Sequence, residues 1–159
     1  QCFVYQYVSS SDRKESYVLV EQMLPGKWEK FMGNNGFVSE DKQSRANQLT
    51  VDLNDGTATA TDVLHAFSHW TYFHTNQKLL VCDLQGVLYE EGKFPAFRLT
   101  DPAIHSRNKG AFKFGKTDCG MKGIRNFSRT HKCNAICRGL GLPAFGQRNS
   151  RNTRIGRSF

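Results

Sequence analysis

The feature that most constrains this chain lies near its end, in the string His131-Lys-Cys133-Asn-Ala-Ile-Cys137. Two thiols and an imidazole supply three of the four nitrogen or sulfur donors that a tetrahedral structural zinc requires. The fourth donor then has to come from elsewhere, which would tie the end of the chain to a distant segment. His69 is the best candidate, because it sits on an apolar helical stretch that must pack in the core; His65 and His74 are rivals. The alternative is plain burial, since an unmodified cysteine behaves as a small hydrophobe. Spacing alone leaves both open.

Composition narrows the setting. The 159 residues are 38% hydrophobic, enough for one globular domain with one core. Five cysteines, an odd count without a secretion signal, point away from a disulfide framework and toward a reducing, intracellular and cytoplasmic setting. No run approaches the ~18 apolar residues of a membrane span. The chain opens on Gln1, so it is expected to be a piece of a longer protein. The net charge is +8, and residues 146–159 hold four arginines and no acid, which leaves +4 on the body. Residues 146–159 are therefore expected to form a disordered basic tail. The modest body charge, and the absence of stacking aromatics in the tail before Phe159, argue against a nucleic-acid partner.

Residues 2–8 and 17–24 read as two strands able to form a hairpin, the second stopped by Pro25-Gly26. Residues 40–60 are weakly patterned. Val63, Phe67 and Trp70 fall at helical spacing and predict a helix over 61–74, capped by Thr61 or Asp62. Residues 79–84 read as a short buried strand, 88–98 as a loop and 103–119 as irregular. Gly123 to Leu142 reads as a helix on which Cys133 and Cys137, four apart, share a face. With strands first and helices later, the class is α+β.

Two carboxylates stand out. Asp83 follows an apolar strand with Gln85 two residues on, and Asp101 sits in the rigid turn Leu99-Thr-Asp-Pro102. Asp83, Gln85 and Asp101 are hard oxygen donors of the kind magnesium takes beside phosphates. Each is equally at home as an ordinary turn former. Gly110-Ala-Phe-Lys-Phe-Gly115-Lys116-Thr117 fits the phosphate-loop string, but polar residues precede it where an apolar parallel strand is needed. Gly120 and Gly123 form a second glycine pair at a helix start, able to expose backbone N–H groups.

Taken together, Val20-Glu21 before Pro25-Gly26, Lys30-Phe31 before an Asn/Gly-rich turn, Ala66 to Tyr72, Leu80 to Val87, Leu99 to Pro102, Phe114-Gly115, and Gly120 to Phe127 running into Thr130 to Cys137 resemble the alpha-type (atypical) protein kinases. The resemblance spans about residues 17–143. It implies the C-terminal lobe of an atypical kinase-like fold, a small mixed sheet with helices stapled by structural zinc, over a partial domain at 1–145. It implies transfer of the ATP γ-phosphate to Ser or Thr of a protein substrate. Asp83 would be the catalytic aspartate, and Gln85 and Asp101 would hold Mg2+. Glu21 and Met23 would lie on the hinge beside adenine, and Lys30 and Asn34 would line the nucleotide cleft. His69, His131, Cys133 and Cys137 would bind zinc. Gly120 and Gly123 would belong to a glycine-rich loop on the peptide-substrate side.

The chain departs from the family pattern twice. Residues 88–98 lengthen the link between Gln85 and Asp101. The N-terminal lobe is missing, and with it the phosphate-binding lysine, for which Lys14 in a turn is no substitute. The expectation is a chain inactive by itself. The competing reading is a non-catalytic, zinc-stabilised pseudokinase or binding module, against which the retention of Asp83, Gln85 and Asp101 counts.

Overall fold

The computed structural model describes residues 2–9, 11, 15–37, 44–53, 56–91, 94–107 and 112–145. The tail at 146–159 and Lys14 lie outside the described residues. Both opening runs are strands, β1 (Cys2–Val8) and β2 (Glu15–Glu21), paired antiparallel from Cys2↔Glu21 to Val8↔Glu15 as the expected hairpin. Every residue of both strands is exposed. A linker over 22–27 leads into β3 (Trp28–Lys30).

The weakly patterned stretch before residue 60 is structured. A short helix α1 (Arg45–Gln48) precedes a hairpin of β4 (Thr50–Leu53) and β5 (Gly56–Thr59), which delivers the chain into helix α2 (Ala60–His74). The cap of α2 is Thr59, two residues before Thr61, the earlier of the two expected caps. Its side chain accepts from the Asp62 N–H, while the Asp62 carboxylate accepts from the Thr59 N–H, closing a capping box.

The inward face of α2 also differs from the apolar periodicity. Ala60, Leu64, Ser68 and Thr71 are buried, whereas Phe67 and Trp70 are each 38% exposed. Small and hydroxyl side chains win because α2 packs close to its neighbours. Thr71 Oγ1 accepts from the Val81 N–H, and Ser68 Oγ lies 3.7 Å from Met32 Sδ.

Two sheets then share a pair of crossings. β6 (Leu79–Cys82) pairs antiparallel with β9 (Ala103–Ser106), and β7 (Gln85–Glu91) pairs antiparallel with β8 (Phe94–Thr100), with β3 on the other side of β7. The segment read as a loop at 88–98 is thus a β-hairpin, and 103–106 is a strand. Alternating cross-strand pairs such as Leu88↔Phe97 stabilise the hairpin without a long apolar run, which is why sequence pattern understated it. Leu80, Cys82, Leu84, Leu88, Phe31 and Met32 form the core with Leu64, Ile124 and Phe127.

The expected single helix over Gly123–Leu142 is two: α3 (Gly120–Thr130) and α4 (Ala135–Gly139). The chain leaves α3 at His131, whose φ of −71° and ψ of 125° are extended. Asn134 restarts it as an N-cap, accepting from the Cys137 N–H at 3.0 Å, and its amide donates to the Asp62 carbonyl at 2.8 Å. One side chain thereby caps α4 and docks it on the first turn of α2. Cys133 lies in the break, not on a helix.

Candidate active site and metal centre

The chain passes from β6 to β7 through Asp83-Leu84 and returns from β8 to β9 through Asp101-Pro102. Register puts the two crossings side by side, because Cys82 pairs with Ala103 and Gln85 pairs with Thr100. Each crossing opens on an aspartate in the left-handed region, φ 56° at Asp83 and 46° at Asp101. That conformation costs roughly 1–2 kcal/mol for a side chain with a Cβ, and Asp tolerates it better than most. Gln85 Nε2 donates to the Asp101 carbonyl at 3.1 Å, which bridges the crossings and leaves its amide oxygen available. Asp83 and Gln85 therefore do not share the face of one continuous strand, as the sequence suggested. The backbone breaks between them, at the end of β6.

Lys30 faces Gln85 across the β3–β7 ladder, and its Nζ lies 2.7 Å from Asp83 Oδ1. Oδ1 is buried, and the Lys30 ammonium is the cation it faces in this structure. With Asp101 and the Gln85 amide beside it, the donor set is hard oxygen and suits magnesium. The same three positions offer no sulfur or imidazole to a softer ion.

From Lys30 the chain is stitched along the first crossing. Phe31 and Met32 both donate N–H to the Leu84 carbonyl, at 2.9 and 3.0 Å. Asn34 ends this run: its amide donates to the Thr117 carbonyl at 3.2 Å, and its carbonyl receives Cys82 Sγ at 3.3 Å. Burial, with the Asp83 and Cys119 charges behind it, pushes the Cys82 thiol up to about 12, so it stays protonated as the donor. Glu21 ends β2 and Met23, 86% exposed, follows on the linker, away from these contacts. The linker itself is held down where Gly26, at φ 115°, crosses Val87, and where Tyr89 Oη donates to the Pro25 carbonyl.

Two buried residues that the sequence reading passed over hold the floor. His105 on β9 is fully buried; its Nδ1 accepts the Cys119 N–H at 3.1 Å, which leaves Nε2–H to donate to the Asn34 carbonyl at 2.7 Å. Its ring lies against Gly123, where a Cβ would come within 2.3 Å. Gly120 and Gly123 are accordingly buried in the first turn of α3, not displayed on an open loop. Asp118 accepts from the Ser106 N–H and hydroxyl, the Gly120 N–H and the Phe114 N–H. Recognising 103–106 as a strand would have turned His105 inward and found both.

Burial alone would raise the Asp118 carboxyl, but those hydrogen bonds outweigh it and hold the group below its ordinary 3.8. With the folded-state value depressed, this carboxylate stabilises the fold above about pH 4 and the stabilisation is lost as pH falls through the folded-state value. Asp118→Asn is expected to be less stable at neutral pH yet to lose less stability than the parent between pH 5 and pH 3. Urea midpoints across that range check it, and equal losses in the two proteins would refute it.

The metal-type cluster is assembled from α2, the α3–α4 break and α4. His69 Nδ1, His131 Nε2, Cys133 Sγ and Cys137 Sγ all lie within 4.8 Å of one another. The nitrogens are 3.1 Å apart, and Cys133 Sγ is 3.8 Å from His69 and 3.6 Å from His131; Cys137 Sγ is 3.8 Å from His131. A tetrahedral zinc with nitrogen at ~2.0–2.1 Å and sulfur at ~2.3 Å needs donor–donor edges of about 3.3–3.8 Å. The residues therefore fit that ion. Of the rival histidines, His65 stacks on Phe127 and His131 outside the donor set, and His74 stacks on Trp70. Burial, reinforced by His69 and His65, drops His131 to about 4; burial also lowers His69 against a hydrogen bond to the Pro143 backbone. Both rings are thus neutral, as a metal ligand must be. Among the described residues no helix is long and apolar enough to cross a membrane.

Residues 1–137 match the sequence model of the alpha-kinase family. The alpha-protein kinase vwkA of Dictyostelium discoideum is 35% identical over 134 residues, covering 83% of this chain and 18% of that protein. A solved alpha kinase from Entamoeba histolytica is 38% identical with a TM-score of 0.62, over 83% of this chain and 41% of that one. The alpha-kinase domain of myosin-II heavy chain kinase A in complex with AMP-PNP superposes with a TM-score of 0.64 at 29% identity, over 91% of this chain and 46% of that one. The chain thus spans less than a fifth of that curated relative and less than half of either solved domain, and within that span it belongs to the alpha-kinase family.

Proposed function

We propose that residues 1–145 are the hinge and C-terminal lobe of a serine/threonine protein kinase that passes the ATP γ-phosphate to a protein hydroxyl. The observation that supports this is the twin crossing, in which Asp83, Gln85 and Asp101 stand at adjacent strand ends with Lys30 against the first carboxylate. Phosphoryl transfer asks chiefly for positioning and charge neutralisation. ATP with Mg2+ supplies the phosphoryl group and the divalent charge. Asp83 orients the acceptor hydroxyl and takes its proton, with Lys30 held against its Oδ1. Asp101 and the Gln85 amide oxygen hold the cation, and Lys30 and Asn34 line the phosphate side. Glu21 and Met23 lie on the hinge. Structural zinc sits in the His69, His131, Cys133 and Cys137 cluster, and the five thiols suit the reducing cytoplasm.

The other half of the cleft is contributed by an N-terminal lobe that this chain does not supply. The β1–β2 hairpin supports that reading, because both its faces are apolar and open. Phe3, Tyr5, Val18 and Val20 share one face; Val4, Val8, Tyr17 and Leu19 share the other. So large an exposed apolar surface calls for cover. Purified alone, the chain is expected to give no phosphotransfer to a Ser/Thr-containing protein acceptor. Extended upstream to the domain length of its relatives, it is expected to turn over. Normal turnover by the isolated chain would refute the missing-lobe reading, and silence from the extended one would leave the zinc-stabilised binding module.

A further inference from the structure

The charge of this chain is far more polarised than its total suggests. All 14 acidic residues precede Cys119, with 13 of the 22 lysines and arginines; residues 119–159 hold the other nine cations and no acid. The excess therefore starts well before the tail, on α3. Lys122, Arg125 and Arg129 recur on α3 at intervals of three and four, Lys132 follows just beyond its end, and all four are exposed. On the opposite side Gly123, Ile124, Phe127 and His131 are buried. None of the four cations forms an ion pair with a described residue.

This pattern works against the helix that bears it. Like charges three and four apart repel on a helix surface. Lys122 stands in the first turn, where the helix dipole disfavours a cation and the nearest acid, Asp118, is already engaged by the Gly120 N–H. Nothing in the fold of α3 asks for these residues, since its core contacts come from Ile124 and Phe127.

We infer that the exposed face of α3 is a docking surface for an acidic polypeptide segment. Lys122 and Arg129 lie about 10 Å apart along the axis. An extended chain places alternate side chains about 6.6 Å apart, so a short run of Glu or Asp spans the same length. The guanidinium forks of Arg125 and Arg129 pair with carboxylates two bonds at a time. A lipid surface is a poor fit, because an interfacial helix needs apolar side chains beside its cations, and Ile124 and Phe127 are 3% and 0% exposed. A single-stranded nucleic acid is a poor fit because no aromatic stands among the four cations for a base to stack on. The inference does not depend on the phosphotransfer reading and is tested by binding alone.

The test uses the full zinc-loaded chain and a fluorescein-labelled peptide of ten Glu-Gly repeats, followed by anisotropy. Affinity is expected to fall at least tenfold between 50 and 200 mM NaCl. Lys122→Gln, Arg125→Gln and Arg129→Gln together are expected to weaken binding at least tenfold at 50 mM, with zinc content and thermal midpoint unchanged. Ending the chain at Phe145 is expected to weaken it less than threefold. Should the triple variant misfold, Arg125→Gln alone is expected to weaken binding at least threefold. Parent-like binding by the triple variant or, where that misfolds, by Arg125→Gln, loss of binding on removing the tail, or better competition by a 20-nucleotide oligo-uridine or phosphatidylserine vesicles would each overturn the assignment.

Discussion

Asp83→Asn, made in a chain extended to include the upstream lobe, is expected to cut kcat by about 10²- to 10⁴-fold, the range for loss of a positioned general base. The amide is nearly isosteric with the carboxylate, so the crossing keeps its shape. The variant can no longer accept a proton, and the negative partner of Lys30 is gone. Because Asp83 acts on the acceptor hydroxyl and not on adenine, KM for ATP should move much less than kcat. Far-UV circular dichroism and the thermal midpoint establish that the fold is intact. Retention of more than a tenth of parental turnover would show that Asp83 is not the base. Loss of ATP affinity in proportion to kcat would place it in nucleotide binding instead.

Removing the metal is expected to be the largest single insult to stability. Binding free energies of structural zinc in small domains are on the order of 10 kcal/mol at neutral pH, comparable to a domain's whole stability. Here the four donors come from α2, the α3–α4 break and α4, so a bound ion would close a loop of more than sixty residues that contains both aspartate crossings. Without it the donors are left with weak contacts of 3.1–3.8 Å among themselves, and Cys137 is fully buried. One zinc per chain is expected by elemental analysis. Dialysis against phenanthroline should lower the thermal midpoint by tens of degrees, and Cys137→Ser should do the same. Cys119→Ser, whose exposed thiol lies outside the cluster, should not. A metal-free chain melting with the parent would refute the role.

Much of the site was legible because its chemistry is carried by residue type. Two thiols and two imidazoles are a donor set wherever they meet, and His69 was preferred over His65 and His74 because an apolar helix must pack. The hairpin at the start and the helix over 61–74 followed from β-branched runs and helical spacing. The outline of the crossings was legible too, through Asp83 and the Leu99-Thr-Asp-Pro turn.

What the sequence by itself determined is therefore the inventory: which donors exist, their hardness, and the class of the elements that carry them. Only the tertiary structure decided how they meet. His131 and Cys133 would point to opposite sides of an unbroken helix, and it is Asn134, capping α4 and bonding Asp62 seventy-two residues away, that accompanies the break and lets both side chains join one cluster. The Asp83 and Asp101 crossings lie side by side because strand register sets them there, and register is a long-range property that no local window carries. His105 and Asp118 owe their burial to a four-residue strand whose only recognisable feature is its partner, Leu79–Cys82. Local pattern reports what a residue can do, and non-local pairing decides where it does it.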